Sequence, residues 1–141
     1  PASTRYHLAK RERNPAGTAI DLGNTVIGKG HFAVIAGPCA IESEQQIFQM
    51  AQLVAECGGN ILRGGAFKPR TSPYDFQGLG LEGLRFLQNA AKAFNLYSVT
   101  EVMDVQDIEA VASHVDILQI GARNMQNFSL LKQVATAQKP I

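Results

Sequence analysis

Tryptophan is absent from this 141-residue sequence, cysteine occurs twice, and charged residues make up 18% of it with a formal net charge of +1. Two cysteines, Cys39 and Cys57, are too few for a disulfide scaffold, so a reducing, cytoplasmic setting is expected. Without a basic excess the usual signature of a nucleic-acid partner is missing. No apolar run approaches the roughly 18 residues a membrane span requires, and nothing at the start has the form of a signal peptide, so no membrane partner is expected either. Charge is also too sparse for a disordered segment, and the 45% of apolar residues is ample for a core.

The pattern along the chain changes near residue 32. Residues 1–31 form a basic, weakly patterned lead-in with five Lys/Arg. Within it Thr18-Ala19-Ile20 and Thr25-Val26-Ile27 flank Asp21-Leu22-Gly23-Asn24, which predicts a β-hairpin with a Gly/Asn turn. Phe32-Ala33-Val34-Ile35-Ala36 then forms a continuous apolar run stopped by Gly37-Pro38, as expected of a strand buried on both faces. Ser43 with Gln46 three residues later predicts a capping box, and Ile47, Met50, Ala51 and Val54 follow helical spacing to Gly58-Gly59.

The alternation continues. Asn60-Ile61-Leu62-Arg63 predicts a second strand, followed by a long polar loop and a helix striped by Leu84, Leu87, Ala91 and Phe94. A third strand is expected from Leu96 to Val102, then an Asp104-capped helix bearing Ile108, Val111, Ala112 and Val115. Ile117-Leu118-Gln119-Ile120 predicts a fourth strand, Leu130, Leu131, Val134 and Ala135 a fourth helix, and Pro140-Ile141 the entry to a fifth strand. Strict βα alternation implies parallel strands covered by helices. Strand starts near 33, 60, 97, 116 and 140 give a repeat of about 27 residues, so eight units need roughly 215, near the ~250 of a (β/α)8 TIM barrel. The expectation is an α/β chain carrying about the first four βα units of such a barrel in 32–141, incomplete at its C-terminus. A doubly wound, flavodoxin-like sheet is the rival that periodicity leaves open.

In a parallel βα protein the functional loops follow the carboxyl ends of strands. Those ends carry Gly37-Pro38-Cys39, Arg63 with the loop Gly64-Gly65-Ala66-Phe67-Lys68-Pro69-Arg70-Thr71-Ser72-Pro73, Thr100-Glu101, and Gly121-Ala122-Arg123-Asn124. Four cations (Arg63, Lys68, Arg70 and Arg123), one carboxylate and one thiol are therefore expected on one face. Arg offers a planar fork to phosphate or carboxylate, Lys a movable charge, and glycines let backbone N–H groups approach, which suits an anionic, phosphorylated substrate. Solvated surface charge on a long loop is the plainer alternative. Neither a Walker nor a GxGxxG pattern is read in the sequence, so nucleotide binding is expected to have no motif support.

Cys39, just past an apolar strand, reads by itself as a small buried hydrophobe, and beside a cationic site as a thiolate nucleophile or metal ligand. Cys57, at the end of a helical stripe, is expected in the core. Glu101 is either a salt-bridge partner that orients the cations or an acid/base. His7, His31 and His114 lie on no motif, so no multi-histidine metal site can be assembled.

Three segments, Ala36-Gly37-Pro38-Cys39-Ala40-Ile41-Glu42-Ser43, the loop from Arg63 to Pro73, and Ile120-Gly121-Ala122-Arg123-Asn124-Met125-Gln126-Asn127, resemble 3-deoxy-D-arabino-heptulosonate 7-phosphate (DAHP) synthase. The match is to its shorter microbial type, related to 3-deoxy-8-phosphooctulonate synthase, and runs from about residue 6 to 141. The octulonate enzymes carry an Asn-Arg-Ser type loop where this chain has Lys68-Pro69-Arg70-Thr71, which favours the heptulosonate enzyme.

The resemblance implies a (β/α)8 barrel and a metal-dependent transferase that condenses phosphoenolpyruvate with erythrose 4-phosphate, the entry to the shikimate pathway and aromatic amino acid biosynthesis. It implies Cys39 as one ligand of a divalent metal ion of unassigned identity, and Lys68 and Cys39 as catalytic residues. Arg63, Lys68, Gly121, Ala122 and Arg123 would hold phosphoenolpyruvate, with Glu101 lining that site, and Arg70 and Thr71 would hold erythrose 4-phosphate. The family's other metal ligands, a His, a Glu and an Asp, come from the second half of the barrel. The chain is accordingly expected to be an inactive fragment of an active homo-oligomer. Alternatives are an octulonate synthase using arabinose 5-phosphate, or a non-catalytic half-barrel that binds phosphorylated ligands. The hairpin is expected to cap the barrel's N-terminal mouth. Residues 6–12 resemble a segment that in some relatives leads to an appended regulatory domain.

Overall fold

A computed structural model describes residues 10–141. Tyr6, His7, Leu8 and Ala9 of the segment compared with a regulatory linker lie outside the described residues. The chain separates into two compact units, Pro1–Ala33 and Val34–Ile141.

The first unit contains strands β1 (Ala19–Asp21) and β2 (Val26–Gly28), paired antiparallel with Ile20 opposite Ile27. Their turn is closed by Leu22 N–H donating to Thr25 O (2.9 Å) and by Gly23 N–H donating to Asp21 Oδ1 (2.8 Å). The Asp side chain thus mimics a backbone acceptor in the tight turn.

The second unit alternates strand and helix: β3 (Ile35–Ala36), α1 (Glu44–Glu56), β4 (Ile61–Arg63), α2 (Leu81–Ala93), β5 (Tyr97–Glu101), α3 (Ile108–His114), β6 (Ile117–Gln119) and α4 (Phe128–Val134). All four strands are parallel and lie in the order β3-β4-β5-β6. A flavodoxin-like sheet would set its first strand between the second and third. Here the first strand is at the edge, so spatial order follows chain order as it does around a barrel. Leu118 N–H donates to Pro140 O (2.9 Å), which places residue 140 beside β6, where a fifth strand would begin.

Side-chain oxygens start the helices. Ser43 Oγ accepts from Gln46 N–H (3.1 Å) at the head of α1, while Gln46 Oε1 reaches back to Glu42 N–H (3.0 Å), one residue before the cap. Asp104 accepts from Gln106 N–H (2.9 Å) and starts a 3₁₀ turn that runs into α3, and Asn127 accepts from Leu130 N–H (3.2 Å) on α4. The helices bury Ile47, Ala51, Val54, Leu84, Leu87, Ala91, Val111, Leu130 and Val134 against Leu62 and Leu118 of the sheet. Phe48 of α1 and Phe94 after α2 meet edge to face, with centroids 6.5 Å apart.

Two expectations are corrected. The 32–36 run does not form a strand buried on both faces: only Ile35 and Ala36 pair, Phe32 is 89% exposed, and Val34 and Ile35 are exposed. Among the described residues β3 has a neighbouring strand on one side only, whereas Ile61 of β4 and Val99 of β5, each between two strands, are buried. Cys57 is not in the core; it is exposed as the residue that ends α1, beyond the last buried position, Val54.

Candidate active site

Parallel register decides which strand residues share a face. Ile61 lies beside Tyr97, Arg63 beside Val99, Val99 beside Ile117 and Glu101 beside Gln119. With a period of two, Leu62, Ser98, Thr100 and Leu118 take the other face, where Leu62 and Leu118 join the helices. The face turned away from the helices therefore starts apolar with Ile61, Val99 and Ile117 and ends polar with Arg63, Glu101 and Gln119 at the carboxyl ends. Cys39 follows β3 and Gly121 follows β6 at that same end.

The loop after β4 is anchored where it leaves the sheet. Gly64 N–H donates to Val99 O (3.2 Å), Ile41 N–H to Gly65 O (3.0 Å), Gly80 N–H to Ala66 O (3.0 Å) and Lys68 N–H to Gln77 O (2.9 Å). Lys68 is only 6% exposed, and its Nζ donates to Cys39 O (2.8 Å) and to Cys39 Sγ (3.2 Å). A Cβ on Gly65 would stand 2.5 Å from Cys39 O and 3.0 Å from Lys68 Cδ, so this approach requires glycine. The Lys68 ammonium, by its hydrogen bond and then its charge, holds the Cys39 thiol below the usual thiol range, with help from Arg63 and against desolvation. Cys39 is exposed among the described residues, and its thiol accepts from the Lys68 ammonium instead of packing in the core as a small hydrophobe.

The remaining cations divide. Arg123 donates from its guanidinium to Pro69 O (3.1 Å), joining the loop after β6 to the loop after β4. Arg70 is exposed and donates through Nε to Phe76 O (3.2 Å) within its own loop, and Thr71 beside it is exposed. Glu101 is 8% exposed and lies directly against Gly121, where any Cβ would collide with its carboxylate. Among the described residues no ion pair within 4.0 Å joins Glu101 to Arg63, Lys68 or Arg123, so its salt-bridge reading is not realised. Ala122, exposed, opens a 3₁₀ turn after Gly121.

No group of three or more His, Cys, Asp or Glu among the described residues is placed to hold a metal ion. His114 is engaged through Nδ1 with Ala110 O (2.7 Å) on α3, and His31 lies in the other unit. Cys39 fits as one ligand by chemistry, since it is an exposed thiol whose anion is favoured, and other ligands would have to come from elsewhere.

Two polar positions were given no role by the sequence. Gln119 shares the Arg63 and Glu101 face, a placement only the register reveals. Thr100 is fully buried, and its hydroxyl bonds to the turn between Arg63 and Lys68; the sequence placed it at a strand end but gave no sign of that bond. Gly78-Leu79-Gly80-Leu81-Glu82-Gly83 has the spacing of a dinucleotide-binding fingerprint, but it ends a long loop instead of directly following a strand. Gly78 packs on the Ala66 carbonyl and Gly83 on the Ala66 side chain, so these glycines serve contact between loop and helix.

A family model described as the DAHP synthetase I family matches residues 9–141. The chain belongs to that family. Phospho-2-dehydro-3-deoxyheptonate aldolase of Thermotoga maritima is 49% identical over 136 residues, covering 96% of this chain and 40% of that protein. 2-Dehydro-3-deoxyphosphooctonate aldolase of Dechloromonas aromatica is 35% identical over 117 residues, covering 78% of this chain and 42% of its own length. The chain thus spans about two-fifths of the relatives it matches. A crystal structure of the Thermotoga maritima DAHP synthase superposes with a TM-score of 0.86 at 47% identity, over 92% of this chain and 37% of that one. A truncated form of the Thermotoga maritima synthase gives a TM-score of 0.82 at 45% identity, over 92% of this chain and 46% of that one. Sequential parallel strands and this superposition identify the second unit as four βα units of the family's (β/α)8 barrel.

Proposed function

We propose that the protein containing this chain is a DAHP synthase of the cytosol, joining phosphoenolpyruvate to erythrose 4-phosphate and releasing phosphate. The observation that carries the reading is the buried Lys68 ammonium held at Cys39 beside Arg63, at the strand ends of a chain 49% identical to a heptonate aldolase. Arg63, Lys68 and Arg123, with the backbone of Gly121 and Ala122, bind the carboxylate and phosphate of phosphoenolpyruvate. Glu101 lines that site on the same sheet face as Arg63. Arg70 and Thr71, on the open part of the loop, take the phosphate of erythrose 4-phosphate. C3 of the enol attacks the aldehyde carbon and a C–C bond forms. Lys68 supplies a proton to the aldehyde oxygen, water adds at C2, and the C2 phosphate leaves. Cations that hold two phosphates and a carboxylate together offset their mutual repulsion as charge moves to the alkoxide. A divalent metal held by Cys39 and by ligands outside this chain would polarise the aldehyde when bound.

Phosphate release by the full-length protein, with a divalent metal supplied, tests the proposal. Release that requires both substrates is expected; no release from the pair overturns it. The octonate aldolase relatives, at 35% identity, make arabinose 5-phosphate the comparison substrate. A preference for it over erythrose 4-phosphate would favour that second reading, although the Lys68-Pro69-Arg70-Thr71 loop speaks for the shorter sugar.

A further inference from the structure

We infer that Thr100 is a positioning residue of this reaction, whose hydroxyl sets the distance between Arg63 and Lys68. The inference rests on the function proposed above and adds a residue to it. Thr100 is 0% exposed, at the penultimate position of β5. Its Oγ1 donates to Gly64 O (2.6 Å) and accepts from Ala66 N–H (3.3 Å). One hydroxyl therefore closes both ends of the Gly64-Gly65-Ala66 turn. Arg63 immediately precedes that turn, Lys68 follows it by two residues, and Glu101 is the next residue after Thr100.

Gly64, Gly65 and Ala66 each make one backbone hydrogen bond to a neighbouring segment, and Thr100 alone bonds both ends of the turn through a side chain. Two glycines and an alanine offer a single methyl group and no polar side chain to fix their own path, and glycine retains the widest choice of φ and ψ. The bare turn is what allows Lys68 to reach Cys39, since a Cβ at Gly65 would stand in the way. A hydroxyl that donates and accepts at once supplies two fixed directions from a single side chain. Buried, the pair of bonds is costly to leave unmade, so the turn keeps one conformation. Serine preserves both bonds, and valine preserves the shape and removes both.

The test uses the full-length protein with Thr100→Val and Thr100→Ser, reading kcat, both KM values and the dissociation constant of phosphoenolpyruvate by calorimetry, per folded protein. Misplacing Lys68 and Arg63 by about an ångström is expected to lower kcat roughly 100-fold in the valine variant and to weaken phosphoenolpyruvate binding, with serine restoring most of both. KM for erythrose 4-phosphate should hardly move. If the valine variant does not fold, Thr100→Cys, whose thiol is a weak donor, carries the same comparison with serine. A lower melting temperature with unchanged kcat and unchanged phosphoenolpyruvate affinity would make Thr100 merely structural and overturn the inference. Because binding is read without turnover, a silent wild type whose phosphoenolpyruvate binding is weakened by valine and restored by serine would sink the condensation and leave the positioning role supported.

Discussion

Lys68 and Arg70 stand two residues apart in one loop and occupy opposite environments. The half of the loop that leaves β4 is buried and tied by hydrogen bonds to Ile41, Val99, Thr100, Gln77 and Gly80. Beyond Pro69, residues 70, 71 and 73–77 are exposed, and Arg70 bonds only within the same loop. Under the proposed function, the hydrogen-bonded half would hold phosphoenolpyruvate in one pose and the exposed half would meet erythrose 4-phosphate. The same loop thus joins a buried, anchored half to an exposed half bonded mainly within itself, with Pro69 as the stiff boundary.

The largest expected effect falls on the anchored half. Lys68→Met should lower phosphate release by about 10³-fold, as loss of a positioned proton donor does, with the circular dichroism of the folded protein retained. The same substitution should raise the pH at which Cys39 is alkylated by iodoacetamide, measured in a Cys57→Ser background. Lys68 favours the thiolate, so the wild-type midpoint lies below that of a free thiol and moves up once the ammonium is gone. Next comes Gly65→Ala: its methyl would press on Cys39 O and Lys68, and steady-state kinetics should show kcat down roughly 100-fold.

On the open half, Arg70→Ala should raise KM for erythrose 4-phosphate about tenfold and leave the phosphoenolpyruvate dissociation constant unchanged, in line with one lost charge-assisted contact. Equal effects on both substrates would abolish the division between the two halves. Smallest is Ser43→Ala, expected to cost about 1 kcal/mol in denaturant unfolding through the lost helix cap, with the kinetics untouched.

Local rules made much of the fold legible. Ser43 with Gln46, Asp104, and the Leu84, Leu87, Ala91 stripe each act through near neighbours in the chain, and each appears where spacing placed it. The site was legible only as a set of strand ends. Lys68 on Cys39 spans 29 residues and Thr100 on Gly64 spans 36, contacts that exist only once the strands are in register. Phe32 and Val34 misled because an apolar run records affinity for a core without saying which element supplies it. For Glu101 the sequence left a salt bridge and an acid/base role open, and its packing against Gly121 depends on strand register that spacing does not show.

The strand order carries a consequence for how the chain acquires its shape. Among the described residues β4, β5 and β6 each pair with the parallel strand completed just before it, across a single helix. Closing loops between near neighbours costs less entropy and proceeds faster than long-range pairing. During synthesis the nascent chain can therefore add one βα step at a time to an existing edge. Arg63 and Lys68 acquire their clamp only when β5 has emerged, so the reactive corner is assembled a full unit after the strand that bears it.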